Sequence, residues 1–253
     1  MKTHHPIQYV RELELLEPKE SFPMERGELE SAGAKMIDGA EQSFVNAKSL
    51  ISFVSAVSEQ RRNDVLNSVL LAQLAANKKF PGDEQTIDWY KEFVRVLNNL
   101  GWAIEAAEFS NFTSAGTVFE VENAIIDILT VAFGSAFIPI ILKTLSAIKG
   151  LSDGNGRITA FEKNTHSLSK GAFQIGLANE TNGSVSLDIG TFLLTSSNEI
   201  KRILFFKSTE DKTSLDYCSR KGVLNDDVYA TIRDAVETKL GTKATDFIAE
   251  IDL

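Results

Sequence analysis

The twenty residues from Ala172 to Thr191, AFQIGLANETNGSVSLDIGT, constrain the fold more than any other stretch. Phe173, Ile175 and Leu177 alternate with Gln174 and Gly176, and Val185, Leu187 and Ile189 alternate with Ser186 and Asp188. A period of two places each apolar set on one face of a strand. Asn182-Gly183 between the runs supplies the positive φ that a tight hairpin turn needs, so the two strands pair antiparallel.

A hairpin with an apolar face must be covered, and the residues before it supply helices. Ile87, Tyr90, Val94, Leu97, Gly101 and Ile104 follow three-and-four spacing, with Trp89, Phe93, Val96 and Leu100 as a second stripe, so this helix is covered on more than one side. Val65, Val69, Leu70 and Leu74 mark a helix over about 62–78, and a further helix is predicted over about 34–57. Phe80-Pro-Gly-Asp83 is a stop followed by a restart, with Asp83 as the expected N-cap. Arg157–Lys163, RITAFEK, reads as the first strand of the sheet, and Ile200–Lys207, IKRILFFK, is apolar on both faces like a central strand. Leu215 and Tyr217 mark one more strand. Asn225 then caps a last helix bearing Tyr229, Ile232, Val236 and Leu240, with Gly241 as its stop. The expectation is an α+β fold: a single layered domain over residues 1–253, its antiparallel sheet flanked by helices on both faces. The helical part covers about 30–150, the sheet about 157–218 and the C-terminal helices about 225–251.

With 43% hydrophobic residues and 9% aromatic, the chain has material for a large core. A formal charge of −9 without a dense basic run leaves no electrostatic footprint for nucleic acid. The start, MKTHHPIQYVRELELLEPKE, lacks the apolar run of a secretory signal. The expectation is therefore synthesis in the cytoplasm, with release or export needed to reach a target cell. A lone cysteine, Cys218, precludes an internal disulfide.

Chemistry is hard to find. His4 and His5 lie at the start and His166 stands apart, which leaves no two-histidine metal site. Cys218 and His166 lack the sequence context of a thiol hydrolase, and Gly150, Gly154 and Gly156 do not form a phosphate loop. Glu105 and Glu108 fall one helical turn apart and read as a solvated edge; Trp89 and Trp102 read as core. No catalytic, cofactor or metal residue is expected, and no cofactor. Leu151–Glu162, LSDGNGRITAFE, matches a calcium loop at Asp153, Asn155, Gly156, Ile158 and Glu162, but Leu151 offers no carboxylate at the first position. It reads as a turn that leads from a helix into a strand.

The order of an apolar helix, a polar turn, a strand, an Asn-Gly hairpin and a strand ending in Leu-Phe-Phe resembles the cytolytic Cyt toxins and the Erwinia virulence factor-like proteins that share the Cyt-like fold. The resemblance runs from about Glu122 to Ser208, about a third of the chain, through IIDILTVAFGSAF, FQIGLANETNGSVSLDIGTF and EIKRILFFKS. In that family an early strand precedes two helix hairpins, and Ile7–Leu16 is the segment here that would supply it. The resemblance implies a soluble protein that binds lipid bilayers and perturbs them without enzymatic chemistry.

The physical candidate for such action is the apolar stretch 121–149. Between Asp127 and Lys143 lie 15 uncharged residues, about 22 Å of helix against roughly 30 Å of hydrocarbon, too short for a constitutive span. Pro139 is expected to kink it. Release of this helix and of the apolar strands would present Ile128, Val131, Phe133, Phe137, Ile140, Leu187, Ile189, Leu204 and Phe206 to lipid. Cys218 is a candidate for acylation, a bound fatty acid or acyl chain a candidate ligand, and an oligomer on membranes a candidate assembly. The competing reading is a soluble, non-enzymatic protein- or lipid-binding module.

Overall fold

The computed structural model describes residues 5–16, 37, 39–113, 117–152, 155–210 and 212–253. The chain enters through helix α1 (Pro6–Glu12), where Pro6 presets φ at the first helical position. The run Ile7–Leu16 is thus not a strand. The early strands come later, as a tight hairpin of β1 (Gln42–Asn46) and β2 (Ser49–Phe53). This replaces the helix predicted over 34–57, whose first residues lie outside the described ones. Every residue of both strands is buried, polar and apolar alike, and so short a run buried on both faces carries no period that separates strand from helix.

Helix α2 (Glu59–Lys79) follows, then α3 (Thr86–Asn99). The restart is a 3-10 turn over Asp83–Gln85, with Gly82 in the N-cap position in place of Asp83. Gly101, at φ +96, turns the chain out of α3, so Gly101 and Ile104 leave the helical register and β3 (Trp102–Ala103) begins. Two further short strands, β4 (Ser110–Phe112) and β5 (Phe119–Glu120), precede the apolar stretch. That stretch is two helices, α4 (Val121–Phe133) and α5 (Ile138–Gly150). The break falls at Gly134, φ +89, and a 3-10 turn over Ser135–Phe137. Pro139 does not kink a helix; it sits in the first turn of α5, where its missing N–H costs nothing.

The corner after α5 also differs from expectation. RITAFEK is not a strand but most of α6 (Gly156–Thr165). Asn155 caps it by accepting from Arg157 N at 3.0 Å, and Ile158, Phe161 and Thr165 form its buried stripe. The central hairpin is as expected: β6 (Lys170–Thr181) and β7 (Ser184–Thr195) pair antiparallel, with Asn182 and Gly183 at φ +53 and +78. IKRILFFK does not form a central strand. Ile203–Phe205 is a 3-10 turn with Ile203 and Leu204 buried, and only β8 (Lys207–Ser208) pairs, with β5, in a separate two-stranded sheet. Apolar packing from several sides, without ladder partners, produces the same letters. Next come β9 (Ser214–Leu224) and α7 (Asp226–Leu240). Asn225 caps α7 by accepting from Val228 N, and Gly241 ends it at φ +51. The C-terminal region is not wholly helical, since the short α8 (Lys243–Phe247) leads into β10 (Ile248–Ile251).

The large sheet runs β10-β1-β2-β6-β7-β9-β3, with β4 also on β9. All its pairings are antiparallel except β2 with β6. Helices cover both faces, and the fold is α+β. Phe44, Ile51, Phe53, Leu187 and Ile189 face α2, α3 and α7. Val45, Leu50, Phe173, Ile175, Phe192 and Leu194 face α4, α5 and α6. Covered on both sides, the sheet also buries its polar positions, which must then bond one another. Gln174 Oε1 accepts from Ser49 Oγ at 2.9 Å, and Gln73 Nε2 donates to Asn46 O at 3.0 Å.

Candidate membrane-contact site

Helices α4 and α5 form a hairpin over the second face of the sheet. Ile125, Ile128, Leu129, Ile140, Ile141 and Leu145 are its buried inner side. Gly190 on β7 permits this approach: a Cβ there would lie 2.9 Å from Leu129 Cδ2. Under α5, Thr144 Oγ1 lies 2.7 Å from Ser43 Oγ and 3.1 Å from Ser52 Oγ, a buried hydroxyl cluster that links helix and sheet. An ion pair closes the base of the hairpin, Lys149 to Glu122 at 2.7 Å, and midway along α5 Lys143 pairs with Glu41 at 2.7 Å.

The elbow joining the two helices is of a different character. Val131 is 89% exposed and Leu142 43%, and Ala132, Gly134, Ser135, Ala136 and Pro139 also face solvent. No charged side chain occurs from Ile128 to Leu142. Thr130 turns its hydroxyl back onto Ile126 O at 2.6 Å, so the elbow offers few polar groups to water. Surface helices usually carry charge on their outer side; here the exposed charges stop at Asp127 and resume at Lys143, and an exposed apolar stretch between them is an uncommon use of surface.

The sequence-derived candidates are spread over three places. Val131 stands on the elbow and Phe137 is partly buried beside it, while Ile128, Phe133 and Ile140 are buried on the inner side. Leu187 and Ile189 are buried on the opposite face of the sheet, under the α2–α3 layer. Leu204 and Phe206 are buried in the segment after β7, and Phe206 O accepts from Val121 N at the start of α4. Leu142, Ala132, Ala136 and Pro139 were not among the candidates. The signal that identifies them is Gly134 with Pro139 in the next helix's first turn, which marks a helix end and a helix start inside an uncharged run.

The remaining residues of interest are dispersed. Cys218 on β9 is 4% exposed and belongs to the core beneath α3. Burial pushes its thiol above the ordinary value, and neighbouring Tyr90 is raised by the same cause. Acylation would require this strand face to open. His166 ends α6, its Nδ1 3.2 Å from Glu162 Oε2. Glu105 and Glu108 do not share a helical turn; both are exposed in the segment after β3. Of the calcium-like positions, Asp153 lies outside the described residues, Asn155 is occupied as a helix cap, and Glu162 accepts from Ile203 N at 3.0 Å. With α6 beginning at Gly156, seven of the twelve residues belong to a helix.

No protein-family model matches the chain, and no curated protein matches it. Among solved structures the chain is similar to a delta-endotoxin at 13% identity, covering 71% of this chain and 81% of that one with a TM-score of 0.38. It is similar to the activated Cyt2Ba monomer from Bacillus thuringiensis subsp. israelensis at 11% identity, with coverage of 71% and 97% and a TM-score of 0.36. It is also similar to the Evf virulence factor at 11% identity, with coverage of 81% and 84% and a TM-score of 0.37. These are the kinds of protein that the resemblance over Glu122–Ser208 names.

Proposed function

We propose that this chain is a non-enzymatic cytolysin or virulence factor that settles on lipid bilayers through the α4–α5 elbow and perturbs them as buried apolar elements turn outward. The observation that carries the reading is the uncharged, solvent-facing elbow around Val131 and Leu142. First contact costs no unfolding, because those side chains already face water. Burying roughly 200 Å² of apolar surface in acyl chain at about 25 cal/mol per Å² is worth about 5 kcal/mol, the scale of reversible membrane adsorption.

Deeper insertion is a second step with its own cost. Ile128, Phe133 and Ile140 must leave the sheet, and the hydroxyl cluster at Thr144 must break. Among the described residues no helix is long and apolar enough to cross a membrane; α4 and α5 have 13 residues each, about 20 Å against roughly 30 Å. Strands β6 and β7, with 12 residues each, exceed the ~9–11 residues of a transmembrane strand; the face that α4 and α5 would free carries Phe173, Ile175, Phe192 and Leu194, whereas Leu187 and Ile189 turn outward only if the α2–α3 layer also lifts. Leakage of dye-filled phosphatidylcholine vesicles tests the reading. Release that scales with protein concentration is expected; no release from any lipid mixture, before or after limited proteolysis, removes it.

A further inference from the structure

Away from the elbow, a cleft of about 480 Å³ opens between the start of α3, the end of α6 and the ends of β6 and β7. Lys48 projects into it from the two-residue turn of the β1–β2 hairpin. That turn is held from three sides. Ala47 N donates to Phe247 O, Lys48 N to Gln73 Oε1 and Gln174 N to Lys48 O, each at 2.9 Å. Its Nζ stands 5.1 Å from the ring centroid of Trp89. Trp89 is itself fixed: it stacks on Phe93 at 5.5 Å and donates from Nε1 to Asn77 Oδ1 at 2.7 Å.

The charges around the cleft are unequally satisfied. Lys170 pairs with Glu84 at 2.6 Å and His166 with Glu162 at 3.2 Å. Asp216 accepts from Asn111 at 2.9 Å. Among the described residues no carboxylate pairs with Lys48, and Asp83 acts on it only at longer range. Burial is the main cause that lowers its pKa, so the ammonium is held at a cost that a counter-ion would remove. Beside it, Phe80 and Pro81 give one side of the cleft an apolar wall, with Trp89 buried behind Lys48, and Asp83, Lys163, His166, Lys170 and Asp216 are among the groups that line the rest.

We infer that this cleft binds a small organic anion, its carboxylate on Lys48 Nζ and a flat apolar body along Phe80 and Pro81. The volume lies in the range of small-molecule sites, and a cation without a carboxylate partner beside an apolar wall is the kind of feature by which such sites orient a ligand. The inference is independent of bilayer binding. Titration calorimetry of the full chain with naphthoate, with its neutral amide and with inorganic phosphate tests it. Naphthoate is expected to bind at one site, and the amide and phosphate each at least tenfold more weakly. Lys48→Met is expected to lose roughly tenfold or more in naphthoate affinity, the worth of one charge-assisted contact, and Lys48→Arg to retain most of it. The melting temperature of each variant without ligand shows that it is folded. Absence of saturable naphthoate binding, equal binding by folded Lys48→Met, or binding of the amide or phosphate as tight as that of naphthoate would overturn the inference.

Discussion

Two buried groups set the most specific expectations for single side chains. Asp64 is 1% exposed and accepts two bonds from Arg233, from Nε at 2.8 Å and Nη2 at 2.9 Å, tying α2 to α7. Arg61 also lies 3.6 Å from Asp64, and Arg233 is itself 23% exposed, so Asp64→Ala loses the charged hydrogen bonds without burying a lone charge and is expected to cost about 1–3 kcal/mol, read as a lower urea midpoint. A change within experimental error would show the pair to be solvated. Cys218 gives a pH dependence. Its folded value is raised by burial, so the folded chain keeps a proton that the unfolded chain releases. That contribution is intact below about 8.5, the unfolded thiol value, and is lost as pH rises through the folded value. Between about pH 8 and about pH 10 the wild-type urea midpoint should fall more steeply than that of Cys218→Ala. Parallel slopes would contradict the assignment. Neither expectation was legible in the sequence, because Asp64 and Arg233 are 169 residues apart and nothing local to Cys218 shows what covers it.

For secondary structure, what the chain makes plain depends on whether one residue fixes the geometry. Asn182-Gly183 and Asn225 do, since a left-handed turn and a helix cap each demand a residue type, and both elements stand where the pattern puts them. Asn225→Ala should accordingly cost about 1 kcal/mol; equal chemical-denaturation midpoints would deny it. IKRILFFK and the residues of β1 and β2 are short and buried from more than one direction, so neither a period of two nor of 3.6 survives in them. RITAFEK does keep a helical stripe at Ile158 and Phe161, but seven residues are too few to tell it from alternation. The elbow is legible as an uncharged stretch but not as a turn, because a proline inside an apolar run reads as a kink, whereas Gly134 and the 3-10 turn already separate the helices before it. Val131→Asp and Leu142→Lys should leave the melting temperature within about 2 °C, since exposed positions contribute little to the folded state, while weakening vesicle binding. A large fall in melting temperature would place these side chains in the core instead.

The whole molecule sets the terms on which it can meet a membrane. Its formal charge of −9 opposes approach to anionic lipid, so binding should be tighter on phosphatidylcholine than on phosphatidylserine mixtures at low salt, with the gap closing as salt screens the surface. The three-layer packing imposes a second condition. Each face of the sheet is roofed by helices, so on the proposed reading contact would come before insertion, with the elbow touching first. Flotation of the intact chain with phosphatidylcholine vesicles, wild type against Val131→Asp/Leu142→Lys, reads this most directly. The account predicts that the wild type rises with the lipid while the folded double variant stays at the bottom of the gradient. A wild type that remains in the aqueous fraction, or a variant that floats equally well, would contradict it.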